Sequence, residues 1–542
     1  MSDDKRDLER RTPHIVVPYT DDEDASSSAT TTLLPQPQAS TSTSKSRRRC
    51  WRLAVLVGAM LAMCIGVFEL LFHGREVESL RAAHEQIAQL KHDLAEQIQG
   101  GYHKIMAATN LRLSPSSGDV DAGVKAVMDR SVIVLKTGSS VAYDRLPVQL
   151  LLAQQTLHPE VYRSGEAGYS GPQLLLYSDS DMQLGEFEVH NALANVSDYV
   201  RHQPDFAKQY AQLQKLLQED DLAKVKEFQD GWNLDKWKFL YMWQDAYHRQ
   251  PDADWYIGYE ADTYVFWPSL FAYLGTQNSR QQQMYGCASI LVRNQELFAN
   301  GGCPYVISGA LMRASFGKDA GFAAKFDKEV EASCCGDAEL SIALRKSASP
   351  PIKELAPTGG RFINDRPQEI TFDENNFCEP VFNFHHLTPT EIQWLATIER
   401  QIRTAKPNVP VLYADVFDHV LPHKLLDAVS ASAKKGGKKD VELNPTLEDW
   451  EAFGSGDSGV KKGERSKDVE SCKGECEKSA GCTTWFWIKV TETDEDGDCY
   501  MLHDRVRVGK AYKGTGVRTS GWIGERVLDF KTKHECKNRP TV

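Results

Sequence analysis

The chain has 542 residues, enough for more than one domain and a substantial core, and its 41% hydrophobic and 25% charged residues are those of a globular protein. A formal net charge of -12 excludes a protein that coats nucleic acid, because phosphate binding needs clustered Lys and Arg. The acidic balance excludes little else.

Residues 1–46 are rich in Ser, Thr, Pro, Asp and Glu and poor in large apolar side chains. Such a segment cannot bury enough surface to offset its ordering entropy, which predicts a disordered tail over 1–52. Residues 53–72 read LAVLVGAMLAMCIGVFELLF, with Glu69 the one ionisable group. Roughly 20 apolar residues in a helix span a hydrocarbon core, so this stretch predicts a transmembrane signal anchor. A buried core helix is the alternative, but five turns without a polar face argue against it. Lys45, Arg47, Arg48, Arg49 and Arg52 precede the stretch, whereas Arg75 is offset by Glu76 and Glu78 behind it. The positive-inside rule keeps the N-terminus cytosolic and sends the rest into a lumen, as a single-pass type II protein. No A-x-A cleavage site follows, which disfavours a removable signal peptide.

Within a stem over 73–128, Val77, Leu80, His84, Ile87, Lys91, Leu94 and Ile98 recur at three- and four-residue steps. That spacing suits a coiled-coil stalk, and hence a homodimer, as well as it suits an isolated amphipathic helix. Beyond the stem, short apolar runs alternate with helical patterns. Val132–Leu135 and Gln173–Tyr177 read as strands, the latter ending in Ser178-Asp179-Ser180-Asp181. Pro147–Leu157, Asp205–Phe228 and Leu234–His248 read as helices, and Asp254–Tyr259 as a third strand. The alternation predicts an α/β domain over 129–428 with a mostly parallel sheet, whose ligands gather at the carboxyl ends of the strands. An Ala/Ser/Gly/Lys-rich stretch marks a linker over 429–446, and 447–542 hold half of the luminal cysteines, enough for a small disulfide-tied module.

Ten of the twelve cysteines lie beyond the anchor, where an oxidising lumen favours disulfides of undetermined connectivity. Cys472-x3-Cys476 lacks the further ligands a zinc finger needs. Asn195-Val196-Ser197 is an N-glycosylation sequon, usable only on a luminal chain.

The strongest chemical signal is Trp255-Tyr256-Ile257-Gly258-Tyr259-Glu260-Ala261-Asp262-Thr263-Tyr264. An apolar strand delivers Glu260 and Asp262 into a turn, and alternate residues of an extended chain face the same side. Both carboxylates can then meet one hard divalent cation, Mn²⁺ or Mg²⁺, able to neutralise a leaving diphosphate. Acid-x-acid pairs also end many ordinary strands.

Four further blocks set that pair in context. They are Gly231-Trp232-Asn233-Leu234-Asp235-Lys236-Trp237-Lys238-Phe239-Leu240; Asn300-Gly301-Gly302-Cys303-Pro304-Tyr305-Val306-Ile307-Ser308; Gly336-Asp337-Ala338-Glu339-Leu340; and Phe384-His385-His386-Leu387. With the Glu260-Ala261-Asp262 turn, they make residues 132–394 resemble glycosyltransferase family 31, the Fringe-like and core 1 β-1,3-galactosyltransferase-like enzymes. Ser471-Cys472, Glu475-Cys476, Gly481-Cys482-Thr483-Thr484-Trp485 and Cys499-Tyr500-Met501-Leu502 add a likeness to the PAN/Apple-like module of fungal members.

The resemblance implies a GT-A-like fold in a type II Golgi membrane enzyme. It implies inverting, Mn²⁺-dependent transfer of a hexose or N-acetylhexosamine from a UDP-sugar to a glycan or glycoprotein, with β-1,3 linkage. Asp262 would ligate the metal directly, Glu260 nearby or through water, and His385 as a distant imidazole, with His386 the next choice. Asp337 would be the general base, or the N-cap of the helix it opens. Thr137 and Asp179 would meet the uridine, and Ala261, Lys236 and Lys238 the remainder of the donor, although both lysines also fit a solvated helix. Gly301 and Gly302 would let the backbone approach a substrate closely. Glu260 in place of Asp, Cys303-Pro304, and Gly336 in place of an acid depart from the family pattern. Two rivals stand: a lectin-like adhesion protein that binds through the C-terminal module, and a hydrolase with paired carboxylates.

Overall fold

A computed structural model describes residues 14–15, 122–156, 172–219, 221–353, 355, 360–406, 409–421, 425, 443–491, 493–537 and 539. The expected anchor, the coiled coil over 77–98 and nearly all of the tail and linker lie outside the described residues. Among the described residues no helix is long and apolar enough to cross a membrane. His14–Ile15 pairs in parallel with Ser289–Ile290.

The centre is a seven-stranded sheet. Its strands are β1 (Ser131–Lys136), β2 (Gln173–Ser178), β3 (Met182–Leu184), β4 (Phe187–Asn191), β5 (Trp255–Glu260), β6 (Met284–Tyr285) and β7 (Tyr305–Ser308). The spatial order is β3-β4-β2-β1-β5-β7-β6. β4, β2, β1 and β5 run parallel, whereas β3, β7 and β6 pair antiparallel. All of β1 is buried, as expected of a β-branched run covered on both faces. From β1 the chain moves one way to β2 and β4, then returns to the other flank as β5. The topological switch point therefore lies between the carboxyl ends of β1 and β5, where this class of sheet opens a ligand crevice.

Helix α1 (Ser139–Thr156) starts eight residues before the expected Pro147, which sits inside it at the cost of one backbone hydrogen bond. The helix expected over Asp205–Phe228 is two, Pro204–Gln218 and Leu222–Lys226, because the Asp221 side chain caps the second by accepting from Lys224 N at 3.2 Å. Helix α2 (Gly231–Arg249) buries Trp237, Phe239 and Trp243 against the sheet. Trp243 Nε1 donates to Tyr305 Oη at 2.9 Å, and a side chain at Gly258 would collide with both rings.

The C-terminal part holds an antiparallel sheet of β8 (Thr446–Glu448), β9 (Val460–Lys462), β10 (Cys482–Lys489), β11 (Asp498–His503) and β12 (Val517–Trp522), in the order β8-β12-β10-β11-β9. Cys472–Cys499 and Cys476–Cys482 tie the helix Val469–Lys478 to it. This part does not stand alone. Thr371–Phe372 pairs with Val506–Arg507, Cys378 bonds to Cys536, and Phe372, Phe377 and Phe417 share one core with Phe486 and Phe530. All ten cysteines beyond residue 280 are in disulfides, the others being Cys287–Cys303 and Cys334–Cys335. None is left for zinc.

Candidate functional site

β5 carries its acids to the switch point. In the parallel register Lys136 lies opposite Glu260, and their side chains meet at 3.1 Å. Glu260 therefore faces a lysine instead of joining Asp262 at a shared cation. Lys136 also reaches Asp235 at 2.6 Å, and Asp235 reaches Lys238 at 2.9 Å. Lys238 completes the chain with Asp179 at 3.1 Å and the Thr137 carbonyl at 2.9 Å. Burial alone would discharge the lysines and raise the acids. Their mutual attraction outweighs it, raising both ammonium pKa values and holding Asp235 down at about 2.

The turn after β5 is pinned from three sides. Gln149 Nε2 donates to the Ala261 and Thr263 carbonyls at 3.0 and 2.7 Å, and Leu387 N donates to the Asp262 carbonyl at 2.9 Å. Thr263 Oγ1 donates to the Gly302 carbonyl at 2.7 Å. The Ala261 side chain is buried in the core, so only its backbone borders the site. Asp262 Oδ2 meets Arg145 at 3.1 Å. Asp262 Oδ1 lies 3.3 Å from His385 Nε2 but is buried without a hydrogen-bond partner. His385 Nδ1 faces Asn364 Oδ1 at 3.2 Å, so a proton on Nδ1 has an acceptor there.

Ligand atoms of Asp262, His385 and His386 all lie within 4.8 Å of one another. Burial opposes charge on Asp262 and His385, yet each favours the other's ionised form, so the carboxyl is held well below its usual range and the imidazole is raised. Although His386 is exposed to solvent, partial desolvation of its ring and the neighbouring imidazolium hold it down at about 4. His386 adopts φ 59°, a left-handed conformation that costs about 1 kcal/mol or more in a residue with a side chain. Gly302 is obligatory here, since a Cβ on it would lie 1.9 Å from His385 Cε1.

Asp337 is the second residue of α3 (Gly336–Ser347), with Cys335 at the N-cap position, so it does not cap the helix. Its carboxylate accepts from Gly301 N at 2.7 Å and Ala338 N at 2.8 Å. Burial pushes the carboxyl up to about 6 despite these two donors; Glu260 adds to the rise and Lys136 opposes it. Gly301 and Gly336 permit the close packing. Their Cβ atoms would meet Asp337 Cβ at 2.9 Å and the Lys236 carbonyl at 2.1 Å. An acid at 336 would not fit against α2.

The remaining expected donor residues divide. Thr137 has a buried hydroxyl without a hydrogen-bond partner, beside Asp179, whose oxygens are taken by Ser139 and Lys238. Lys236 turns away and donates to the Glu331 and Ser333 carbonyls at 3.0 and 3.1 Å. A cavity of about 220 Å³ adjoins this end, lined by Ser139, Tyr143, Ser180, Asp181, Leu216 and Leu222. A larger one of about 390 Å³, bordered by Asn195, His190, Asp245 and Arg249, touches neither Asp262 nor Asp337. Asn195 itself is exposed.

Lys136, Asp235, Arg145 and Asn364 belong to the site without having been expected there. Asp235 stood inside a recognised block, and Lys136 ended an otherwise apolar run; nothing local marked Arg145 or Asn364. No family model matches the chain, and no curated protein matches it.

Proposed function

We propose that residues 129–428 form a metal-dependent, inverting glycosyltransferase of the family 31 kind. It would transfer a hexose or N-acetylhexosamine from a UDP-sugar to a glycan or glycoprotein, with β-1,3 linkage, on the luminal side of the Golgi membrane. The observation that carries this reading is the pairing of two unlike acids at one switch point. Asp262 is held ionised, with a buried unpartnered oxygen facing His385, while Asp337 is tuned to about 6. The ordered blocks of sequence around them support the family.

Asp262 and His385, with His386 beside them, fit a divalent cation, and the imidazole favours Mn²⁺ over Mg²⁺. Bound there, such a cation supplies charge neutralisation for a departing diphosphate. Asp337 takes the proton of the acceptor hydroxyl, whose oxygen attacks the anomeric carbon; the bond to the diphosphate breaks and UDP leaves with inversion. A carboxyl near 6 is ionised at neutral pH yet basic enough to share that proton. Arg145 holds Asp262 Oδ2, and Gly301 N holds the Asp337 carboxylate against the helix.

Release of UDP from a panel of UDP-sugars, with and without Mn²⁺, tests the reading. Mn²⁺-dependent release that falls by about 10²-fold or more in Asp262→Asn is expected. Metal-independent turnover, or turnover indifferent to the substitution, sinks it. The three-ligand grouping with His386 also favours a second reading, metal-assisted hydrolysis. Cleavage to free sugar that no acceptor stimulates would select that one. For the topology, protease added outside sealed microsomes should spare 122–542. Digestion of that region would overturn the luminal placement.

A further inference from the structure

The larger cavity, of about 390 Å³, has no part in the proposed chemistry. One wall is α2, which presents Tyr241, Gln244, Asp245, His248 and Arg249 at the three- and four-residue steps of a single helix face. The rest comes from β4 and the turn after β2, with Glu188, His190 and Asp181. Asp245 accepts from Tyr177 Oη at 2.7 Å and from Arg249 Nε at 2.6 Å, which ties α2 to β2 beside the cavity. The volume falls in the range of about 300–1,000 Å³ usual for small-molecule sites, but such sites are lined mostly by apolar side chains. Carboxylates, imidazoles, an amide and a guanidinium line this one, so it suits a polyhydroxylated occupant.

Asn195 belongs to the same lining and is exposed, in the turn that follows β4. It opens the sequon Asn195-Val196-Ser197. In the folded chain the hydroxyl that defines the sequon is already engaged. Ser197 Oγ donates to Asp327 and accepts from Val200 N at 3.2 Å, as the N-cap of the helix Asp198–Arg201. Ser197 N donates to Tyr241 Oη at 3.0 Å, and that hydroxyl donates to Asp327 at 2.9 Å. Tyr241 therefore locks the sequon and walls the cavity at once.

We propose that Asn195 carries an N-linked glycan whose first pyranose is seated in this cavity, so that α2 folds against the chain's own sugar. This rests on the luminal placement and not on the chemistry at Asp262. Attachment forms one bond, from Asn195 Nδ2 to the anomeric carbon of a lipid-linked diphospho-oligosaccharide. The amide gives up a proton and the lipid diphosphate leaves. The step precedes folding, because Asp327 lies 130 residues beyond Ser197 and takes its hydroxyl once both are in place. The carboxylates of Asp181 and Glu188 accept from sugar hydroxyls. Gln244 gives its oxygen to Ala323 N, which leaves its amide nitrogen to donate. A short tether holds a ligand at about mM effective concentration, so a site too weak to capture free sugar is still filled.

The test uses the full-length chain made in a eukaryotic secretory host. Mass spectrometry of the Asn195 peptide, before and after treatment with peptide N-glycosidase, should find a glycan on most copies. An unmodified Asn195 overturns the proposal. Release by the glycosidase should be at least about tenfold slower from native protein than from protein denatured beforehand, because the sugar must first leave the cavity. Glu188→Ala with His248→Ala, both exposed and remote from Asp262, should speed native release at least about threefold. Equal rates in native and denatured protein, or slow release that the double variant leaves unchanged, overturn the seat. UDP release by the same preparations separates this from the enzymatic reading. Its absence beside a seated glycan sinks only that reading, and its presence beside a bare Asn195 sinks only this one.

Discussion

The carboxyl edge of the central sheet and the seam between that domain and the C-terminal sheet are both buried, but they are built from opposite materials. At the edge, Lys136, Lys238, Asp235, Asp179 and Glu260 pair in sequence, and glycines admit side chains that no other residue would. At the seam, Phe417 stacks edge-on against Phe372 and Phe377 at 5.0 and 5.3 Å, with Phe530 of helix α4 (Gly524–Lys533) closing the cluster. Apolar burial stabilises without conditions, whereas each buried charge is stable only while its partner is present. The seam therefore holds the fold together, and the edge is held in place by it.

That division can be broken by substitution. The largest expected effect is on catalysis: Asp337→Asn should lower kcat by about 10²–10⁴-fold with KM for the donor little changed. The pH profile of the wild type should rise through about 6 as the carboxyl ionises. A variant that keeps its turnover would remove Asp337 from the chemistry. Next in size, Phe417→Ala should cost about 3–5 kcal/mol in denaturant unfolding. The folded fraction should keep wild-type KM for the donor. A changed KM would mean that seam and edge are coupled and the comparison is too sharp.

The smallest effect sharpens the contrast at a single residue. Because the Asp337 carboxyl is raised, the folded protein binds that proton more tightly than the unfolded chain. Stability from this group is fully present below about 4 and is lost as pH rises through about 6. The loss is on the order of 3 kcal/mol. Asp337→Asn should escape it, unfolding at higher denaturant than wild type at pH 7 and at the same denaturant near pH 4. Equal midpoints at both values would show that no strain is stored there.

How much of this could be read along the chain depended on distance. The all-apolar run at Val132–Leu135 and the acids after Tyr259 are local patterns, and they placed a buried parallel strand and Asp262 where they stand. The partner of Glu260 was not legible, because it is set by the register of β1 on β5, a pairing between residues far apart in sequence. Lys236 and Lys238 look alike in the sequence, but Lys238 turns inward to Asp235 and Asp179, while Lys236 turns to the Glu331 carbonyl. The cysteines beyond the expected anchor are in disulfides as expected, but their spacing could not say that Cys378 would reach Cys536.

The Cys378–Cys536 bond sets a schedule for biosynthesis. Phe377 and Cys378 leave the ribosome 158 residues ahead of their covalent partner. At about 5–20 residues per second the interval is roughly 10–30 s. Throughout it the phenylalanine cluster has an open side and a free thiol in the compartment where the chain matures. The sheet that carries Asp262 can assemble early, but its foundation cannot be sealed until the helix with Phe530 has been made. A chain stopped before Cys536 would therefore leave the Phe377 and Phe417 cluster uncovered and Cys378 without its disulfide partner.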